Sequence, residues 1–238
     1  MSKVAKQLSI VICSLLIVNY SNAQSALEYD MADPMFLTKS GDIWSDSSLL
    51  FNSDVLRLAQ KLSYGVGDKL SIAADIKYQQ DFNGPEDGFS NIGVGGVYRL
   101  SDVGSKIVTD ALFGINFGGA KRVREPDFAD TIYQAGVRLG RQWSRLTLAG
   151  TIKTSWIFDE NRGMAYIDVI PDVYIRLTDS WMTGFGFDIR KSTNPNFDRQ
   201  WANFKLVRQY GRTQYMGHVD YEFENRNWQF GAKVDILF

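Results

Sequence analysis

The side chain most often used for acid–base chemistry occurs once in this chain, at His218. Asp220 and Glu222 follow at two-residue spacing, so the three side chains would share one face of a β-strand. A hydrolytic site on this histidine would also need a nucleophile and an orienting group in place around it. The sequence shows no convincing arrangement of that kind, and a hydrogen-bonded structural histidine is favoured. We therefore expect a protein that is not an enzyme and has no catalytic residue.

Signals for metals, cofactors and nucleic acids are equally weak. One histidine and one cysteine cannot supply the clusters of nitrogen and sulfur ligands that transition metals need. Residues 81–88 carry spaced oxygen ligands but lack the spacing of a calcium-binding EF-hand, which favours a solvated turn. The glycines at 93–96 and 184–186 do not open a helix, so they do not form a dinucleotide fingerprint. A formal net charge of −1 gives no support for nucleic-acid binding. We expect no metal and no cofactor.

The first 23 residues have the features of a secretory signal peptide. Two lysines precede an apolar run at 8–18, which is too short to cross a bilayer as a helix. Ala23 is a small residue at the expected cleavage point. Cys13 would leave with this segment, so the mature chain would have neither disulfides nor a reactive thiol. We assign 1–23 as the signal peptide, 24–40 as a periplasmic lead-in and 41–238 as the folded domain.

The end of the chain, 227–238, alternates strictly between apolar and mostly polar residues. Such alternation predicts a β-strand with one apolar and one wet face. An aromatic residue at each end of the apolar face is typical of a strand that crosses a membrane, because aromatic rings favour the two interfaces. The apolar positions are Trp228, Phe230, Ala232, Val234, Ile236 and Phe238.

The same alternation repeats back to residue 55, with turn residues between the segments. A first strand at 41–51 has the weakest pattern, but an even number of strands requires it. The sequence thus predicts an all-β fold, an antiparallel up-and-down barrel of 12 strands, with 10 as the alternative. Short connections alternate with longer ones, as in barrels that have short periplasmic turns and longer outer loops. Pro171 lies within a strand, where we expect a bulge or kink.

The polar face of the predicted strands carries charges of both signs. A Lys or Arg at the lipid midplane costs about 2–4 kcal/mol, so this face must point into the lumen if the barrel lies in a membrane. The predicted lumen-lining residues are Asp75, Lys77, Arg99, Asp110, Arg138, Lys153, Asp168, Asp172, Arg176, Asp188, Arg190, His218, Asp220, Lys233 and Asp235.

A final strand with this alternation and a C-terminal Phe resembles the last strand of Gram-negative outer-membrane β-barrels. The resemblance implies that the assembly machinery reads Phe230, Val234, Ile236 and Phe238. It also implies the cell outer membrane as the location, with its lipid and lipopolysaccharide as partners. The basic residues between 121 and 124 could meet lipopolysaccharide phosphates or simply be solvated.

In size the chain is similar to small 12-stranded channels, such as those for acidic oligosaccharides or nucleosides. Oligosaccharide channels of this type have strongly basic lumens, whereas basic and acidic residues are nearly balanced here. The favoured function is a passive, weakly selective channel for small hydrophilic solutes, in which lumen charges set the field. The alternative is a barrel closed by charge pairs, with a structural or adhesive role. A lipid-modifying or proteolytic barrel is a third possibility.

Overall fold

The computed structural model of this protein describes residues 34–90, 92–102, 105–119, 123, 126–158 and 163–238. The predicted signal peptide, the first part of the lead-in and three of the four residues at 121–124 lie outside these ranges, so their assignments stay predictions. Within the described residues, no helix is both long enough and apolar enough to span a membrane.

The described chain forms a closed antiparallel barrel of 12 strands with one short extra strand, as predicted. Neighbours in sequence pair with each other, and β1 pairs with β13 to close the ring. The extra strand, β4, pairs with the end of β3. The strands are β1 (Ile43–Phe51), β2 (Val55–Gly65), β3 (Leu70–Asp81), β4 (Gly88–Phe89), β5 (Gly93–Arg99), β6 (Val108–Asn116), β7 (Ile132–Gln142), β8 (Leu146–Ile157), β9 (Met164–Arg176), β10 (Trp181–Ser192), β11 (Arg199–Tyr210), β12 (Thr213–Glu222) and β13 (Asn227–Leu237).

The apolar face of the strands lies on the outside of the barrel. Large apolar side chains at these positions are exposed, among them Ile152 at 56% and Phe230 at 46%. Alternate positions on the same strands are buried, as Gln229 and Asp235 are on β13. An apolar belt around a closed barrel suits a hydrocarbon environment, because a closed ring leaves no sheet edge with unpaired backbone groups.

The two ends of the barrel differ in their connections. One end, the turn end, carries both termini of the barrel and the connections 66–69, 100–107, 143–145, 177–180 and 211–212. The other end, the loop end, carries longer connections that contain β4, the short helix α1 (Pro126–Ala129) and a 3-10 turn at Pro195–Phe197.

At the turn end, Lys69 Nζ donates a hydrogen bond to Asp102 at 2.8 Å, which holds the pKa of the Asp102 carboxyl below its ordinary value.

The predicted contrast in connection length holds only in part. The turn-end connection 100–107 is long, and Ile107, expected in a strand, lies just before β6. At the loop end, the connections 52–54 and 223–226 are short.

The expected bulge at Pro171 does not form. Gly186 pairs with Asp172 and Ile189 with Val169, so the register between β9 and β10 is the same on both sides of the proline. The ladder is interrupted only next to Pro171, which has no N–H to donate. Pairing with β8 continues through the proline.

The seam between β1 and β13 is built from the weakest and the clearest sequence patterns. Phe238 N donates to Ile43 O at 2.8 Å, and Ile43 N donates to Phe238 O at 3.3 Å. On the outer face of β1, Ser45 and Ser47 interrupt the apolar pattern. Their hydroxyls hydrogen-bond to the side chain of Gln60 on β2. This pairing satisfies polar groups on a face that is otherwise apolar.

Because Phe238 has both a ring and seam hydrogen bonds, two variants separate its roles. Deletion of Phe238 removes the ring and both backbone bonds, whereas Phe238→Ala removes only the ring. If the assembly machinery reads the ring, both variants will reach the outer membrane at reduced levels. Phe238→Ala will still refold in detergent and show a heat-dependent shift in electrophoretic mobility. Normal membrane levels of Phe238→Ala would contradict an assembly role for the ring.

Candidate functional site in the barrel interior

The interior of the barrel is lined by the polar side chains that occupy every second position of the strands. Buried polar side chains recur around the ring, including Asp110, Ser155, Asp168, Gln214 and Asp235. Several buried polar atoms have no hydrogen-bond partner within the described ranges, such as Ser155 Oγ and Gln214 Oε1. An unsatisfied polar group in a dry interior costs about 1–3 kcal/mol, so the interior is suited to water.

One charge cluster lies near the turn end and joins β5, β6 and β7. Asp110 is fully buried, and its carboxylate accepts from Arg99 Nε at 3.0 Å and from Arg138 Nη2 at 2.5 Å. The register places Asp110 directly beside both arginines on the neighbouring strands. Two cations therefore share one carboxylate, which leaves the cluster with a formal excess of positive charge.

A second cluster joins β8, β9 and β10 nearer the loop end. Asp168 is fully buried and accepts from Arg190 Nε at 2.6 Å, while Lys153 Nζ lies 3.5 Å from the same carboxylate. The Arg190 guanidinium lies 3.9 Å from the ring centroid of Tyr166, within cation–π range. This cluster also has two cations for one carboxylate.

A third cluster lies at the seam and has the opposite balance. Lys233 on β13 lies 2.9 Å from Asp46 on β1 and 3.3 Å from Asp235. Lys61 on β2 has no ion pair among the described residues, and its Nζ lies 5.7 Å from the ring centroid of Trp44. Among the described cations that line the cavity, Lys61 is therefore the one whose ammonium forms no ion pair, although Asp46 and Asp75 are its register partners on the neighbouring strands.

The remaining predicted lining residues form pairs rather than clusters. Lys205 Nζ donates to Asp172 Oδ1 at 2.8 Å, and Arg199 Nη2 donates to Asp188 Oδ2 at 2.9 Å. The only histidine pairs with its strand neighbour, with His218 Nδ1 3.1 Å from Asp220 Oδ2. Lys77 Nζ lies 4.0 Å from Asp75 Oδ2 on the same strand. Arg176 is partly buried at the turn end of β9.

Some of these charged residues line a cavity of about 420 Å³ inside the barrel. Its charged lining comes from opposite walls and consists of Lys61, Asp75, Lys77, Arg138, Lys153 and Lys233. The wall formed by β3, β5 and β6 contributes small residues, since Ala73 pairs with Gly95 and Gly95 with Gly114. Because these side chains barely project, they leave space in the lumen next to this wall.

The loop end of the interior is partly covered by the connection between β6 and β7. Phe128, on helix α1, is 4% exposed and packs with Val123. The Arg57 guanidinium on β2 lies 5.9 Å from the Phe128 ring centroid. The connection therefore extends over the mouth of the barrel as far as β2, three strands away from β6.

The predicted set of lumen-lining residues does not include two residues of β1. Trp44 and Asp46 face the interior, where Trp44 lines the cavity and Asp46 pairs with Lys233. Their orientation was hidden in the sequence, because Ser45 and Ser47 on the opposite face are also polar. The pairing of β1 with β13 and with β2 shows which parity points inward.

Comparison with known proteins adds information about the fold. No protein-family model and no curated protein sequence matches this chain. Among solved structures, the chain is similar to the KdgM porin, with a TM-score of 0.63 and 12% identity over 81% of this chain and 98% of that one. It is also similar to the NanC porin, with a TM-score of 0.61 and 11% identity over 82% and 98% of the two chains.

A third similar structure is the COG4313 outer membrane channel from Pseudomonas putida F1, with a TM-score of 0.64 and 7% identity over 85% of this chain and 97% of that one. At such low identity the likeness concerns architecture, which agrees with the closed ring, the apolar outer belt and the charged interior. In its fold, this chain is a closed 12-stranded antiparallel β-barrel similar to those of outer-membrane porins.

Proposed function

We propose that this protein is a passive, weakly selective channel for small hydrophilic solutes in the outer membrane. The observation that carries the proposal is the cavity of about 420 Å³ inside a closed barrel, lined by charged and polar side chains. An interior of this kind lets ions and polar solutes exchange hydration for side-chain contacts. The apolar outer belt fits the barrel to lipid, and the turn end then faces the periplasm.

The charge arrangement supports weak rather than strong selectivity. The clusters at Asp110 and Asp168 each hold two cations, whereas the seam cluster holds two carboxylates around Lys233. Most lumen charges are therefore locally compensated, and the net field comes from a small excess of cations. We expect a slight preference for anions.

Planar-bilayer recording of the refolded mature chain tests the proposal. We expect discrete conductance steps and a reversal potential in a KCl gradient that indicates a slight chloride preference. A folded barrel with heat-dependent mobility that passes no ions would contradict the channel and favour a closed structural or adhesive barrel.

Lys61 has the largest expected influence on selectivity. It lines the cavity and forms no ion pair among the described residues, so Lys61→Glu replaces a cation that no carboxylate contacts directly with an anion. We expect the reversal potential to shift toward cation preference. The matched control is Lys106→Glu, the same charge change on an exposed residue of the turn-end connection 100–107. An equal shift in both variants would show that Lys61 does not act through the cavity.

A further inference from the structure

The described part of the lead-in, residues 34–40, lies within the turn end of the barrel. Ser40 forms a parallel bridge with Gly65 at the end of β2, and Gly41 N donates to Gly65 O at 2.9 Å. Thr38 is 1% exposed and Met35 is 7% exposed. The chain therefore approaches β1 from inside the ring.

The other end of this segment is bound to the opposite wall. Arg138 Nη1 donates to Pro34 O at 2.7 Å, and Arg99 Nη2 donates to Met35 O. Both arginines are held in place by the buried Asp110. In the ring, β7 lies across the lumen from β13 and β1, and β5 lies two strands from β7 on the side toward β1. The segment thus spans the lumen from wall to wall.

Side chains of the segment fill space beneath the cavity. The Phe36 ring packs edge-on against Trp44, with 5.2 Å between centroids and an interplanar angle of 79°. Pro34, Phe36, Leu37 and Thr38 contribute to the cavity lining. The segment therefore forms the floor of the cavity.

Two glycines on the barrel wall make room for the segment. A Cβ at Gly65 would overlap the carbonyl oxygen of Lys39, and a Cβ at Gly140 would lie 2.5 Å from Met35 Cγ. Neither glycine has a positive φ that would itself exclude a side chain. At both positions, the obstacle to a larger residue is the lead-in segment.

From these contacts we infer that residues 34–40 form a plug that constricts the lumen at the turn end and sets the size of solute that can pass. The inference rests on the proposed channel function. The guanidinium groups of Arg99 and Arg138 bind backbone carbonyls, so the plug is held by charge-assisted hydrogen bonds rather than by side-chain complementarity alone.

Replacing Gly65 or Gly140 with valine tests the plug. A larger residue inside a pore is normally expected to lower the conductance, because it narrows the pore, whereas the plug predicts that the conductance will rise. Gly65→Val must displace the backbone at Lys39, and Gly140→Val must displace the Met35 side chain. We expect a severalfold higher single-channel conductance in both variants, measured in the full mature chain. The control is Gly217→Val, because a Cβ at Gly217 meets nothing within 4 Å. Conductance in Gly140→Val and Gly65→Val that is equal to or below that of wild type would overturn the plug.

A labelling experiment reports the position of the segment independently of conductance. With Met35→Cys in a Cys13→Ser background, we expect slow maleimide labelling, because residue 35 is buried. Adding Gly65→Val should make labelling severalfold faster. Fast labelling before Gly65→Val is added would overturn the plug. If no variant conducts, the channel function fails, and the labelling rates still show whether the segment occupies the lumen.

Discussion

Replacing Asp168 with alanine will destabilise the barrel by about 3–5 kcal/mol, because the change leaves two cations without their shared counter-charge. Asp168 is 0% exposed and Arg190 is 2% exposed, so water cannot readily take over the role of the carboxylate. The loss is a large part of the 5–15 kcal/mol that is typical of a folded domain. The midpoint of urea unfolding in lipid vesicles, followed by tryptophan fluorescence, measures the change.

Two further variants show whether this effect comes from an unpaired buried charge. Asp102→Ala removes the carboxylate of an exposed ion pair with Lys69 at the turn end, and we expect little change. Asp168→Leu/Arg190→Met removes both partners of the buried pair and should recover part of the loss. If the double variant is as unstable as Asp168→Ala, the carboxylate acts through something other than charge compensation.

Ile152→Arg will destabilise the membrane-embedded barrel by about 2–4 kcal/mol, because it places a cation on the outer face at the middle of β8. Ile152 is 56% exposed and belongs to the apolar belt. The matched variant is Thr151→Arg, one residue away on the inner face, where water and polar groups surround the new side chain. Unfolding from lipid vesicles measures both variants.

The contrast between these neighbouring positions tests the orientation of every strand. Barrel strands alternate with period two, so one residue decides between lipid and lumen. If Thr151→Arg were the more damaging change, the apolar face would point inward and the barrel would not be a membrane barrel. Equal, small effects would indicate that the belt does not contact hydrocarbon.

Much of the fold could be predicted from the sequence, because a barrel strand has a strict two-residue period. The strand predicted at 227–238 is β13 at Asn227–Leu237, and the weak pattern at 41–51 becomes β1 at Ile43–Phe51. The weakness of that pattern has a physical cause. Ser45 and Ser47 are tolerated on the outer face because Gln60 satisfies their hydroxyls, and such a cross-strand bond is invisible in a single sequence.

The candidate site could be predicted only as a list of residues and not as an arrangement. Alternation identifies Arg99, Asp110 and Arg138 as residues of the same face, but their grouping depends on the register between three strands. The path of residues 34–40 was not predictable at all. Its anchors are backbone carbonyls, which every residue type possesses.

The seam between β1 and β13 also constrains how the barrel folds. Every other pair of neighbouring strands is connected locally, whereas Trp44 pairs with Leu237, near the opposite end of the chain. Contacts between residues so far apart in sequence form slowly, because the loop that they close carries a large entropic cost. Ring closure is therefore the slow step that we expect to limit the folding rate, and the hairpins can form before it. By the same reasoning, a bond introduced across the seam should slow unfolding more than one within any hairpin.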